Sequence, residues 1–166
     1  MKTKALFAGS FDPFTRGHEA LVATALALFD EVVIGVGENI SKRWLLDAET
    51  RCRLIADLYA GQPRVSVGRY SSLTGDYALS VGASVLVRGL RSALDFEYER
   101  ALEATNRQLF PELTTVLLVT PPRYAHISSS TVRELLAFGR DAGDFLPDGV
   151  DISRYTAGGG KKPENR

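Results

Sequence analysis

The sequence predicts a single α/β domain, in which a doubly wound parallel five-stranded sheet has helices on both faces. Five short apolar runs are typical of strands that are buried on both faces, since they do not alternate with polar residues. Five segments with helical spacing alternate with these runs, and such βα alternation favours parallel strands joined by right-handed crossovers. The length of 166 residues fits one domain, because a domain holds roughly 150 residues.

The elements follow one another as five βα units. We expect strands at Lys4–Ala8, Val32–Val36, Val65–Val67, Ser84–Val87 and Thr115–Val119. We expect the helices that follow them at Glu19–Phe29, Asp47–Tyr59, Leu73–Val81, Leu94–Phe110 and Thr131–Phe138. Asp47 is a predicted helix cap, and Thr131 and Glu134 form a predicted capping box. The domain is expected to span residues 1–156, and the segment 157–166, which has no apolar pattern, is expected to be a disordered tail.

Composition excludes several classes of protein. Hydrophobic residues make up 45% of the chain and charged residues 24%, which is too apolar for a disordered protein. Twenty Lys and Arg balance twenty Asp and Glu, so no global field attracts nucleic acid or anionic lipid, and any anion site must be local. The single cysteine excludes an intrachain disulfide, which favours a reducing, cytoplasmic compartment. The most apolar window, residues 20–29, is too short to span a bilayer.

The stretch between the first strand and the first helix carries the strongest chemical signal. Gly9 lets the backbone turn, and Gly17 permits a ligand to approach helix amides that have no partner. Ser10 adds a hydroxyl. His18 falls in the first helical turn, where the helix dipole favours a bound anion and keeps the imidazole neutral. This stretch therefore predicts an anion site.

The sequence Thr15-Arg16-Gly17-His18 resembles the T-x-G-H form of the H-x-G-H signature of the nucleotidyltransferase superfamily, specifically of bacterial phosphopantetheine adenylyltransferases. The resemblance covers nearly the whole chain and continues at Ser41–Arg43, Val87–Arg91, Asp95–Glu99 and Ile127–Thr131. It implies a Rossmann-like adenylyltransferase that moves AMP from ATP to 4′-phosphopantetheine, giving dephospho-coenzyme A and pyrophosphate in coenzyme A biosynthesis. It also implies a Mg²⁺ cofactor and a homohexamer. Such a reaction needs no general base, because a phosphomonoester with a second pKa of about 6 is already mostly dianionic at neutral pH.

The resemblance also implies roles for single residues. His18 would stabilise the transition state and contact ATP, and Ser10 and the Phe11 amide would contact the phosphates where the two substrates meet. The acceptor substrate would be bound by Lys42 and Arg88 at its phosphate, and by Leu73 and Thr74 along its pantetheine arm. ATP would be bound by Gly89, Leu90, Arg91, Glu99, Tyr124, Ala125, His126, Ile127, Ser128, Ser129 and Ser130. The magnesium ligands are not assigned, and they are expected to be mostly substrate phosphates and water.

Several acidic residues near these motifs fit a purely structural role as well. Asp12, which precedes Pro13, favours a turn over a metal ligand. Glu97 and Glu99 share a helix with Arg100, so pairing within the helix is the structural alternative for both. Two departures from the family pattern leave the shape of the pantetheine pocket open: a tryptophan at position 44, where proline is common, and a threonine at position 74, where methionine is frequent.

Two other functions stay open. The first is a related nucleotidyltransferase that acts on nicotinamide mononucleotide, or that uses CTP with an alcohol phosphate; such relatives usually carry a histidine where this chain has Thr15. The second is a catalytically silent nucleotide-binding protein on the same fold, because fold does not fix function. The intact set of His18, Lys42, Arg88 and Arg91 argues against a silent protein.

Overall fold

The computed structural model describes residues 2–39 and 41–156. In that part of the chain, five strands and five helices follow the predicted βα order, and a short sixth helix, which was not predicted, comes after them. The strands are β1 Lys4–Gly9, β2 Glu31–Gly37, β3 Val65–Tyr70, β4 Val85–Leu90 and β5 Thr114–Val119. The helices are α1 Arg16–Leu28, α2 Ala48–Leu58, α3 Thr74–Ser80, α4 Ala93–Leu109, α5 Ser129–Ala137 and α6 Ser153–Thr156, with 3-10 turns at Pro122–Tyr124 and Gly143–Phe145. The predicted tail, residues 157–166, lies outside the described residues.

The strands form one sheet in the order β3-β2-β1-β4-β5, and every neighbouring pair is parallel. The prediction of a doubly wound parallel sheet is confirmed. Strand order reverses at β1, which pairs with β2 on one side and with β4 on the other. In such sheets ligands bind beyond the carboxyl ends of the strands at this reversal. We therefore expect a ligand site at the carboxyl ends of β1 and β4.

Helices cover both faces of the sheet, as predicted. Phe7 of β1 belongs to a core cluster that includes Leu21 of α1 and Ile55 of α2. Its neighbour Leu6 belongs to a second cluster that includes Ala78 of α3. Successive residues of a strand point to opposite faces, so β1 contributes to both cores. This double burial explains why β1 is apolar at every position from Ala5 to Ala8.

The two edge strands differ from the prediction of complete burial. In β3 and β5 most positions are half-buried or exposed, whereas β1 and β2 are mostly buried and half of the positions of β4 are buried. Val119, at the end of β5, is 75% exposed. An edge strand has a neighbour on one side only, and the apolar runs of β3 and β5 do not reveal this.

Two helix starts also refine the predictions. Asp47 caps α2 as predicted, since its carboxylate accepts a hydrogen bond from the Thr50 amide at 2.7 Å. The predicted capping box at Thr131 is wrong, because α5 begins at Ser129 and the Ser128 hydroxyl accepts from the Thr131 amide at 3.1 Å. Each hydroxyl residue from Ser128 to Thr131 could cap a helix, and in the structure Ser128, the first of them, caps α5.

Within the described residues, no helix combines the length and the apolar character that crossing a membrane requires.

Candidate active site

A cavity of about 450 Å³ opens at the carboxyl ends of β1 and β4, where the strand order reverses. Its walls come from the turn after β1, the loop before α2, the end of β4 and the first turns of α4 and α5. The cavity therefore lies where the strand order predicts a ligand site. The cavity volume is within the usual range for sites that bind small molecules.

The turn after β1 is held in an unusual backbone conformation. Phe11 has a φ of +52°, which L residues rarely adopt. Its buried ring packs against the rings of Phe7 and His18, with centroid distances of 5.2 and 5.0 Å. A Cβ on Gly9 would come within 2.9 Å of the Phe11 ring, so glycine is required there. Strain of this kind persists only where surrounding packing fixes it, and it is common at functional sites.

A capping box at the start of α1 fixes the orientation of His18. The Thr15 main-chain N–H donates to His18 Nδ1 at 3.0 Å, and the His18 N–H donates to Thr15 Oγ1 at 3.4 Å. Because Nδ1 accepts this bond, the proton of a neutral imidazole lies on Nε2. His18 lines the cavity, so its Nε2–H is the donor left for a ligand.

The surroundings of His18 keep it uncharged. Burial, with a smaller contribution from the positive charge of Arg91, lowers the pKa of His18 from 6.5 to about 4. The imidazole is therefore neutral at physiological pH, as its position at a helix N-terminus led us to expect. A neutral imidazole can donate a hydrogen bond to an anion, but it does not act as a cation there.

Arg88 and Glu99 form a bidentate ion pair between β4 and α4. Arg88 Nε and Nη2 donate to the two carboxylate oxygens of Glu99, each at 2.8 Å, and Arg88 Nη1 donates to the Ala8 carbonyl at 2.8 Å. Burial alone would lower the pKa of Arg88, but the hydrogen bonds and charge of Glu99 outweigh it and raise this pKa. The pair fixes the plane of the guanidinium at the cavity wall. Pairing of Glu99 within its own helix is therefore wrong, while Glu97 does pair with Arg100, at 3.1 Å.

The cavity is locally positive although the whole chain is neutral. It is lined by five cationic side chains and by three carboxylates, and each carboxylate already has a protein partner. Asp95 accepts from the main-chain N–H and Nε of Arg91, Glu99 pairs with Arg88, and Asp12 accepts from main-chain amides. Among the described residues, no ion pair involves the other three cations, which are Lys42, Arg43 and Arg133. The arrangement suits a polyanionic ligand.

The N-terminus of α5 meets the turn after β1 across the cavity. The Ser129 hydroxyl donates to the Pro13 carbonyl at 2.8 Å, and Arg133 donates to the Asp12 carbonyl at 2.6 Å and to Ser130 Oγ at 3.1 Å. These bonds hold α5 so that its first turn, with amides that helix geometry leaves unpaired, opens on the cavity. A helix N-terminus in this position is a suitable phosphate site.

A second cavity, of about 300 Å³, adjoins the first. It has Arg88, Tyr98 and Glu99 in common with the first cavity, and it contains Leu73 and Thr74. The rest of its wall combines apolar side chains, Leu86, Leu102, Leu109 and Phe110, with four polar ones, Glu103, Thr105, Asn106 and Thr115. The Arg88–Glu99 pair thus stands between a cationic cavity and a more apolar one.

The structure brings most of the predicted site residues together. Lining the first cavity are Ser10, Phe11, His18, Lys42, Arg88, Gly89, Arg91, Glu99, Ile127, Ser128, Ser129 and Ser130, and lining the second are Leu73, Thr74, Arg88 and Glu99. Outside the walls of both are Leu90, Tyr124, Ala125 and His126. Leu90 is buried, while Tyr124 closes the 3-10 turn just before α5.

Sequence reasoning did not assign a role in this site to three residues that support it. Arg133 lines the cavity, but in the sequence it resembles any helix arginine. Arg51 is fully buried behind the turn, and its spacing from Leu54 and Ile55 on one helix face could have revealed this. Trp44 stands out in the sequence only as a departure from the family pattern, yet it lines the cavity. Asp12 has the scaffold role that its turn position favours: its carboxylate accepts from the amides of two loop residues at 2.8 Å each.

No group of three or more His, Cys, Asp or Glu side chains that could hold a metal ion occurs within residues 2–39 and 41–156. Since the carboxylates at the cavity are already engaged, a divalent cation there would be held chiefly by ligand phosphates and water, as Mg²⁺ often is.

Comparisons with known proteins agree with this geometry. Residues 6–135 match the family model described as cytidylyltransferase-like. A phosphopantetheine adenylyltransferase of Porphyromonas gingivalis is 56% identical over 148 residues, covering 89% of this chain and 96% of that protein. The enzyme of the same name from Phocaeicola vulgatus is 47% identical, covering 90% and 98%. A crystal structure of a putative nicotinate-nucleotide adenylyltransferase from Vibrio parahaemolyticus aligns with a TM-score of 0.67 at 20% identity, covering 95% and 93%, and shows that the fold is shared.

The resemblance inferred from the sequence is confirmed, because the chain is 56% and 47% identical to curated relatives over nearly their whole length. The signature turn and the cationic cavity fit the same family. The chain belongs to the phosphopantetheine adenylyltransferases, within the cytidylyltransferase-like family.

Proposed function

We propose that the protein transfers the adenylyl group of ATP to 4′-phosphopantetheine, giving dephospho-coenzyme A and pyrophosphate. In this reaction a phosphate oxygen of the acceptor forms a bond to the α-phosphorus of ATP. The bond between that phosphorus and the oxygen that bridges it to the β-phosphorus breaks, and pyrophosphate leaves with the electron pair. The site must therefore align two anions that repel each other and stabilise charge as it moves to the leaving group.

The observation that carries this proposal is the pair of adjoining cavities. The first supplies cations, the strained turn and a helix N-terminus, which suit the phosphates of both substrates. The second is more apolar than the first and includes Leu73, Leu102 and Phe110, which suits the uncharged pantetheine arm. A substrate with a phosphate at one end and a long uncharged arm fits this division, with Arg88 at the junction.

The cationic side chains would bind different substrates. Lys42 and Arg88 would bind the acceptor phosphate, Lys42 as a compact charge and Arg88 through a guanidinium that Glu99 holds in place. Arg91, together with the amides of Ser129 and Ser130, would bind the triphosphate of ATP. Arg133, anchored to Asp12 and Ser130, adds a charge on the same side of the cavity.

His18 would act at the reacting centre as a hydrogen-bond donor. Its Nε2 keeps the proton because the Thr15 amide occupies Nδ1, and its lowered pKa keeps the ring neutral. A donor of this kind stabilises negative charge that develops on the α-phosphate without accepting a proton from the acceptor. No general base is required, since the acceptor phosphate is already ionised.

Magnesium would supply charge neutralisation on the triphosphate when it is bound with ATP. The carboxylates of Asp12, Asp95 and Glu99 are committed to protein partners, so we assign no residue of the chain as its ligand.

We further propose a homohexamer as the working assembly, in the reducing environment of the cytoplasm, which suits a chain with one cysteine. Large apolar side chains that a lone copy exposes support an assembly: Leu94 is 82% exposed and Val119, on an edge strand, 75%. Sedimentation equilibrium at micromolar concentration tests this proposal. A mass near six chains is expected, whereas a monomer would contradict it.

The reverse reaction tests the proposed chemistry. One phosphoanhydride is exchanged for another, so dephospho-coenzyme A and pyrophosphate with Mg²⁺ must yield ATP and 4′-phosphopantetheine. We expect ATP to appear from dephospho-coenzyme A and not from NAD. Formation of ATP from NAD alone would identify an enzyme for nicotinamide mononucleotide, and binding of ATP without synthesis in either mixture would identify a silent nucleotide-binding protein.

A further inference from the structure

The loop that carries Lys42 has little secondary structure of its own, yet Lys42 must be placed accurately if it is to bind a phosphate. We define residues 41–46, between β2 and α2, as the Lys42 loop. Lys42 itself is exposed, and its Nζ lies 6.0 Å from the centroid of the Trp44 ring. The position of the loop therefore depends on what holds its other residues.

The principal anchor is the buried guanidinium of Arg51, which is only 1% exposed. Its Nη1 donates to the carbonyl of Ser10 at 2.6 Å and to that of Gly37 at 3.1 Å, and its Nε donates to the carbonyl of Leu46 at 3.1 Å. These carbonyls belong to the turn after β1, the end of β2 and the Lys42 loop. A single side chain thus ties together three segments of the site, and its rigid planar fork suits that role.

The Trp44 ring adds a second attachment of the loop to the same guanidinium. Arg51 Cζ lies 4.1 Å from the centroid of the indole, a stacked cation–π geometry. The indole N–H donates to the Asn39 carbonyl at 3.0 Å. From the other side, the Asp12 carboxylate accepts from the amides of Leu45 and Leu46. The loop is therefore attached to both the turn and the start of α2.

We propose that Trp44 and Arg51 are positioning residues, whose stacked pair holds the Lys42 loop against the turn after β1 so that Lys42 meets the acceptor phosphate. This inference rests on the proposed function where it assigns Lys42 to that phosphate. The residues assigned to ATP, Ser10, Phe11 and His18 included, lie outside the Lys42 loop, so we expect loss of the stack to affect the acceptor and to leave ATP binding largely intact. Trp44, at the position where proline is common in the family, thus makes an attachment that proline could not make.

Limited proteolysis tests the attachment without any substrate. Trypsin cleaves after Lys42 and Arg43, both exposed, once the loop leaves its position. Loss of the stack in Trp44→Ala is expected to raise the initial rate of cleavage there about tenfold, on the scale of one cation–π contact. Trp44→Phe, which keeps an aromatic face, should stay within about threefold of the wild type. The matched control is Arg53→Met, which removes an exposed arginine of the same helix that lies over Tyr155, and it should leave the rate unchanged.

Steady-state kinetics test the consequence for binding. For Trp44→Ala, KM for 4′-phosphopantetheine should rise about tenfold, while kcat and KM for ATP stay within about twofold. Trp44 is substituted because it is half-buried in a loop, whereas loss of the buried Arg51 could prevent folding; circular dichroism confirms the fold of each variant. Unchanged cleavage of Trp44→Ala would overturn the inference. So would a rise in both KM values or a fall in kcat alone.

The two proposals fail separately. If the wild-type protein forms no dephospho-coenzyme A, the proposed function fails, and proteolysis still shows whether the stack holds the loop. If the wild type is active and Trp44→Ala has its full affinity for the acceptor, only the positioning role is rejected.

Discussion

The protonation of His18 is the property of this site that can be measured most cleanly. The structure predicts a neutral ring with its proton on Nε2, because the Thr15 amide donates to Nδ1 and burial opposes charging. Lowering the pH is the perturbation. With a pKa of about 4, roughly 3% of His18 is protonated at about pH 5.5, against roughly 90% of an ordinary histidine with a pKa of about 6.5.

Long-range ¹H–¹⁵N correlation spectra measure both properties, the tautomer and the protonation. The chain has only two histidines, so the spectrum of His18→Asn assigns the signals of the other ring directly. We expect the His18 signals of an Nε2–H tautomer to stay constant from about pH 8 to about pH 5.5. Reaction rates cannot replace this measurement, because the acceptor phosphate itself titrates with a pKa of about 6.

The pH dependence of the free energy of unfolding gives an independent check of the lowered pKa of His18, and its sign can be predicted. The pKa of His18 is lower in the folded chain than in the unfolded one, so the unfolded chain takes up a proton first as pH falls below about 6.5. The contribution of His18 to stability is therefore complete above about pH 6.5 and is lost as pH falls towards about 4. Between about pH 7.5 and 5.5 the wild type should lose about 1 kcal/mol more stability than His18→Asn does. A His18 that titrates near pH 6.5, or an Nδ1–H tautomer, would refute the reasoning.

Further substitutions test the remaining assignments. His18→Ala should lower kcat by a factor of about 10² to 10³, the scale for loss of one transition-state donor, with a much smaller change in ATP affinity by calorimetry; equal losses in both would contradict its role at the reacting centre. Lys42→Ala should mainly weaken 4′-phosphopantetheine binding, and an unchanged Kd would reject the assigned contact. Glu99→Gln should lower the free energy of unfolding by about 2 to 3 kcal/mol, since it leaves the largely buried Arg88 without its counter-charge. Urea denaturation measures this loss, and a change below about 0.5 kcal/mol would mean that the pair contributes little.

The order of the elements could be predicted because its signals are local. An apolar run such as Ala5–Ala8 indicates a strand buried on both faces, and the alternation of such runs with helices fixes the class of sheet. The signature at Thr15–His18 marked the anion site, because its glycine, its histidine and the start of the helix lie within a few residues of each other. The exposure of β3 and β5 could not be predicted in this way, since position in the sheet depends on strand order.

The partners of individual side chains were harder to predict, because they come from different elements. Arg88 and Glu99 lie on a strand and a helix, and no local pattern relates them. Glu97 and Glu99 are separated by about 200° around the helix. Glu97 therefore faces solvent and pairs with Arg100, whereas Glu99 faces the sheet and pairs with Arg88. The hypothesis that both pair within the helix was wrong for Glu99. Arg51 makes its bonds to carbonyls of three segments, a set of acceptors that has no signature in the sequence.

The measurement that tests the account most directly is product analysis of the forward reaction. The purified protein is incubated with ATP, Mg²⁺ and 4′-phosphopantetheine. In two parallel mixtures pantetheine or nicotinamide mononucleotide replaces 4′-phosphopantetheine, and in a third CTP replaces ATP. Pyrophosphate release is followed, and products are identified by mass spectrometry. We expect dephospho-coenzyme A and pyrophosphate in equal amounts from ATP and 4′-phosphopantetheine alone. A product formed only from another mixture, or no product in any mixture while ATP binds, would contradict the account.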